Sequence, residues 1–170
     1  MRIPGIFAAL LMAYLFSLQP SSPAIAATEA IGVNATIMAS VGLVEVRPLS
    51  FGTVLIGADA GSITIDPSDS ISNLNNVMSD GNATAALVEI TAEPGLQLLA
   101  STESSVILDS GSNTMVVDHF TIGDAANGDT TTLTLTSPSE QIMIGATLQV
   151  GAGQPPGVYT GSFDFTVNYQ

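Results

Sequence analysis

From residue 30 onward the apolar residues return at every second position, and no window of a dozen residues carries a helical stripe. A period of two puts successive side chains on opposite faces of an extended chain, so each such run predicts a β-strand with one face on a core. The runs at 49–56, 62–65, 85–92, 96–100, 105–108, 115–122, 131–136, 141–150 and 158–169 read as strands. Between them stand Asp-Gly-Asn, Pro-Gly, Asn-Gly-Asp and similar clusters whose residues tolerate positive φ and turn the chain. Many short strands separated by such turns predict an all-β fold, an immunoglobulin-like β-sandwich, with a small closed barrel as the structural alternative.

Two stretches carry the alternation furthest. In Tyr159–Tyr169 every odd position is apolar, aromatic or Gly (Tyr159, Gly161, Phe163, Phe165, Val167, Tyr169), while Thr160, Ser162, Asp164, Thr166 and Asn168 form the other face. Each large apolar side chain buried there contributes about 1.5–3 kcal/mol. An ordinary central strand explains this pattern, and so does a strand gripped by β-augmentation. Near the other end, Ile31, Val33, Ala35, Ile37 and Ala39 alternate with polar and small residues, after which Val44 and Val46 carry the apolar series on even numbers. This change of phase predicts a bulge or a break between two strands near Gly42-Leu43. A detachable strand in front of the domain's own first strand would give it, as would one long edge strand that switches sheets.

Ahead of these lies a different kind of segment. Arg2 is followed by the apolar run Ile6–Leu18, which is shorter than the roughly 20 residues needed to span a bilayer, and Ala24-Ile25-Ala26 fits a small-x-small cleavage site. The expected organisation is a signal peptide over 1–26, an N-terminal strand or donor extension over 27–40, and a single β-sandwich domain over 41–170. The product is exported to the periplasm, the cell surface or the medium, with no membrane insertion of the mature chain.

Composition then removes most chemistry. The chain carries 15 Asp and Glu against 2 Lys and Arg, no Cys and no Trp, and its two basic residues are Arg2 and Arg47. Without lysine there is no Schiff base and no Lys-Asn isopeptide bond; without Cys there is no thiol catalysis, disulfide or Cys-based metal site. A nucleic-acid partner needs clustered cations and is excluded. His119, the only histidine, sits between Asp118 and Phe120 with no Gly-x-Ser-x-Gly elbow in the chain, which reads as an edge or surface residue rather than a catalytic one. Asp124, Asn127 and Asp129, and separately Asp66 and Asp69, could offer loop oxygens to Ca²⁺, but their spacing is not that of an EF-hand and turn formation accounts for the same residues. The expectation is a non-enzymatic protein with no catalytic residue, no metal and no cofactor.

The segments Leu49-Ser-Phe51-Gly52-Thr-Val54, Gly61-Ser-Ile63-Thr-Ile65-Asp66-Pro67 and, above all, Ile144-Gly145-Ala-Thr-Leu148-Gln-Val150-Gly151 followed by Gln154-Pro-Pro-Gly157-Val-Tyr159-Thr-Gly161-Ser-Phe163-Asp-Phe165-Thr-Val167-Asn-Tyr169 resemble a bacterial secreted family, domain of unknown function 4402 (DUF4402). The resemblance implies export and a β-sandwich. The ending is also similar to that of chaperone–usher fimbrial subunits, in which the penultimate Tyr corresponds to Tyr169 and the donor strand to Ile31–Ala39; common fimbrial subunits carry a disulfide, which this chain lacks. That likeness implies a pilin-like subunit of a surface fibre that assembles by strand addition, with Ile31, Val33, Ala35, Ile37 and Ala39 donated and the Tyr159–Tyr169 strand as acceptor or chaperone contact. Its partners would be copies of itself or related subunits, a periplasmic chaperone and an outer-membrane usher. The alternative is a self-contained periplasmic or extracellular binding module, in one version a calcium-dependent adhesin domain.

Overall fold

The structure is a computed structural model that describes residues 34, 35, 37–75, 77–124 and 126–170. The expected signal peptide, its cleavage site, Ile31 and Val33 lie outside the described residues. Contacts divide the chain into Met1–Thr36 and Ile37–Gln170, and the second unit holds every strand described below.

Twelve strands form among the described residues: β1 (Gly42–Arg47), β2 (Val54–Leu55), β3 (Gly61–Ile65), β4 (Ile71–Leu74), β5 (Met78–Ser79), β6 (Ala86–Thr91), β7 (Gln97–Thr102), β8 (Ser105–Asp109), β9 (Thr114–Ile122), β10 (Thr130–Thr134), β11 (Ser139–Val150) and β12 (Phe165–Tyr169). β11 organises the larger sheet because it is long enough to serve several neighbours. Its first half pairs β6, its second half pairs β3 and β9, and β1, β4 and β8 extend the sheet outward from these. A second sheet runs β10-β7-β12, and β2 pairs β5 in a short ribbon.

Alternation explains what is buried. Ile63 and Ile65 of β3, Val88 and Ile90 of β6, and Ile144, Ala146, Leu148 and Val150 of β11 face inward. One core cluster gathers these chiefly under the larger sheet; a second joins Ile90 and Ala92 to Leu98, Ala100 and Val167 of the three-stranded sheet. Two sheets thus share an apolar interior as an all-β sandwich, and open edges at β1, β4, β10 and β12 replace the closed-barrel alternative.

Three local departures from the expected pattern have visible causes. The run 49–56 pairs only at Ser50, which bridges Thr84, and at β2, since Gly52 turns the chain at φ 65°. The long C-terminal strand is regular only from Phe165, and before it the single backbone bridge joins Thr160 to Asp109. At the front, β1 begins at Gly42, and the register slip falls later than expected, between Glu45 and Arg47. Leu43, Val44 and Val46 remain 40%, 61% and 48% exposed along this edge.

His119 occupies a bulge. Asp118 faces Thr147 and Thr121 faces Gly145, so two residues of β9 stand against one of β11, and His119 takes φ 49°. The bulge moves the inward series from Val117 to Phe120, both 1% exposed.

Candidate functional site

The inner face of the larger sheet is not wholly covered. Val106 and Leu108 of β8, Met115 and Val117 of β9, and Leu148 and Val150 of β11 floor a groove of about 1100 Å³. Pockets for small molecules usually enclose about 300–1,000 Å³, so this is a large site by that measure. One flank is the chain from Pro48 to Ile56, and the other runs from Gln154 to Phe165.

Both flanks present backbone with an unused edge. Ser50 and β2 pair on one side with Thr84 and β5, and among the described residues no second strand pairs them. Likewise, among the described residues, the 160–169 stretch pairs only with Asp109 and with β7. Unpaired strand edges beside an apolar floor are what an added strand requires: the edges offer amides and carbonyls, and the floor takes alternate side chains.

Of the residues expected to form an acceptor strand, Tyr159, Gly161, Phe163 and Phe165 line the groove. Val167 is instead buried in the second core cluster, and Tyr169 packs against that cluster while its hydroxyl accepts the Glu93 backbone N–H at 2.8 Å. The last two residues therefore anchor the strand, and the first four shape the groove wall. Gly161 is required by close approach, since a Cβ there would lie 2.7 Å from the Ile107 carbonyl oxygen. The Tyr159 hydroxyl donates to the Pro155 carbonyl and accepts from Gln154 Nε2, which fixes the proline turn that carries the chain into the wall.

Of the expected donor residues, Ala35, Ile37 and Ala39 are exposed and outside any strand, Ile37 at 94%. This apolar residue in water lies only five positions before β1.

The opposite flank is held by polar turns. Asp80 accepts the Asn82 backbone N–H and side-chain amide, and these bonds lower its carboxyl to about 2. Its own N–H donates to the Thr53 carbonyl, tying the turn to the groove flank. Arg47, just before that flank, donates from one terminal nitrogen to both Asp69 oxygens at 2.9 Å and from Nε to the Ala85 carbonyl at 3.0 Å. Asp69 Oδ1 also accepts the Ala85 N–H at 2.7 Å. Among the described residues Glu45 is the only charged one that lines the groove.

Elsewhere the acidic residues work as turn caps. Asp66 Oδ1 accepts from Ser68 N–H, the Ser68 hydroxyl and Ser70 N–H, the Ser68 hydroxyl being the main cause of its lowered pKa. Asp124 caps Ala126, and Asn127 donates to the Ile122 carbonyl. No group of three or more His, Asp or Glu is gathered as a metal site among the described residues. His119 Nδ1 lies 2.7 Å from Asp118 Oδ1, which also accepts from Gln149 Nε2, and among the described residues no hydroxyl bonds the imidazole ring.

The Pro48–Ile56 flank was not foreseen as part of a site. Its alternation reads as a plain strand, and a sequence pattern cannot reveal that the strand's second neighbour is missing.

No curated protein and no solved structure matches the chain. A family model described as "Domain of unknown function (DUF4402)" matches residues 41–169, from just before β1 to the end of β12, and the chain belongs to that family.

Proposed function

We propose that this chain is a structural, non-enzymatic subunit of a bacterial surface fibre, exported by its signal peptide and assembled by β-strand addition. In this reading the groove receives the Ile31–Ala39 segment of a neighbouring copy or related subunit, and a periplasmic chaperone and outer-membrane usher hold and deliver the subunit until then. The observation that carries it is the pairing of an apolar groove with two unpaired strand edges, one of them formed by Tyr159, Gly161 and Phe163. Val106, Leu108 and Met115, only partly covered, supply side-chain sockets, and Ile31, Val33, Ala35, Ile37 and Ala39 supply apolar knobs at the matching period of two. A continuous ladder would cover the apolar floor and satisfy the open backbone groups together.

Deletion of residues 27–39 removes the donor and leaves every strand of the sandwich intact. The shortened chain should stay folded and form no polymers where the intact chain forms them. Polymers of unchanged length from the shortened chain would refute the reading.

A further inference from the structure

The three-stranded sheet has a second open edge, at its far side from the groove. Among the described residues β10 pairs only β7, in a register that runs without a break from Thr130↔Ser101 to Thr134↔Gln97, and none of them pairs its other edge. Edge strands are normally guarded against pairing by charge, proline, a bulge or brevity. In the larger sheet the edges show such guards: β1 is bulged between Glu45 and Arg47, β4 has four residues, and β8 ends in Asp109 bridged to Thr160; β12, the other edge of the three-stranded sheet, continues from the groove flank. β10, Thr-Thr-Thr-Leu-Thr, has none.

Charge points to the partner. Against 15 carboxylates and 2 basic residues in the chain, the outer face of this sheet is uncharged within its strands: Thr130, Thr132 and Thr134 stand exposed on β10, with half-buried Ser101 on β7 and exposed Thr166 and Asn168 on β12. It is a place where two copies of so acidic a chain can meet without setting carboxylates against each other. Asp129 lies just before β10, so a parallel pairing would bring two like charges together. An antiparallel pairing centred on Thr132 places each Asp129 opposite the partner's Leu135 and sets Thr130 across from the partner's Thr134. Thr–Thr pairs across strands are favourable, and like charges directly opposite are not.

We infer that β10 is a self-pairing edge, which joins two copies of this chain about a two-fold axis through Thr132 into one six-stranded sheet. The inference does not rest on the fibre reading, since the groove lies beyond β12, at the other end of the sheet order. If fibres form, the same edge joins them side by side.

The absence of native Cys gives a clean test. In Thr132→Cys the two introduced thiols face each other across the axis, within reach of a disulfide. Mild oxidation should yield covalent dimer at least ten-fold above that from Ser72→Cys, an exposed position on the β4 edge. Sedimentation of the unaltered chain should show a concentration-dependent dimer that strengthens with salt. Thr132→Asp should abolish this dimer with the melting temperature unchanged, and deletion of residues 27–39 should leave it in place. Equal cross-linking at Thr132 and Ser72, no cross-linking at Thr132, or a dimer indifferent to Thr132→Asp would overturn the inference.

Discussion

The Phe163 ring lies 5.0 Å from the Phe120 ring at an interplanar angle of 44°, so a residue of the groove wall leans directly on one of the most deeply buried side chains of the core. Tilted aromatic pairs at this separation add about 0.5–1.5 kcal/mol to what burial provides. The wall is therefore not a loose flap. Phe163 is held from below by Phe120, while the backbone two residues earlier is pressed close to Ile107 at Gly161.

Phe163→Ala should lower stability by about 2 kcal/mol, less than the 3–5 kcal/mol of a fully buried Phe because the side chain is only partly buried. Denaturant unfolding reads this. Phe163→Leu, which keeps an apolar contact with Phe120, should recover more than half of the loss.

Arg47→Ala should cost about 1 kcal/mol. The Arg47 and Asp69 side chains are 35% and 36% exposed, so the ion pair itself is largely screened, and much of the effect comes from the Ala85 carbonyl losing its Nε donor. Arg47→Lys retains a charge for Asp69 but cannot reproduce both contacts, and should recover only part of the loss. Equal stability of the Lys variant and the unaltered chain in thermal melts would count against this assignment.

Acid should loosen the groove flank through Asp80. Its carboxyl titrates at about 2 in the fold against 3.8 for the unperturbed group, chiefly because the Asn82 N–H bonds its charged form. A carboxyl lowered on folding stabilises fully above its unfolded value, and that contribution is lost as pH falls from about 4 toward 2. Asp66 and Glu140 shift in the same direction through their Ser68 and Thr136 hydroxyl bonds. Melting temperature followed across that window should fall more gently in Asp80→Asn than in the unaltered chain. Relief of repulsion among the many carboxylates acts in the opposite sense in both proteins, so the difference between them isolates Asp80.

The alternation in the sequence made most strands legible, because Ile63, Ile65, Val88, Ile90, Leu98 and Ala100 stand at a spacing that only a half-buried strand explains. Four wall residues, Tyr159, Gly161, Phe163 and Phe165, were legible for the same reason. What alternation cannot encode is which neighbour a strand lacks. The pairing of β11 with three different strands arises from contacts far apart in the chain, and it decides that the Pro48–Ile56 flank faces the 154–165 flank across an open floor. β4 and β5 are not legible in the sequence because Ile71–Leu74 and Met78–Ser79 are too short to display a period. His119 illustrates a third limit: its positive φ belongs to a bulge set by β11, and nothing in its immediate neighbours announces that geometry.

The most direct test of strand addition is amide hydrogen exchange on the chain lacking residues 27–39, with and without a peptide of the sequence Ile31–Ala39. The account predicts that the peptide binds and slows exchange along both flanks, at 161–164 and across 50–56, while amides of β10 are unchanged. Failure of the peptide to bind, or protection confined to residues outside the two flanks, would contradict it.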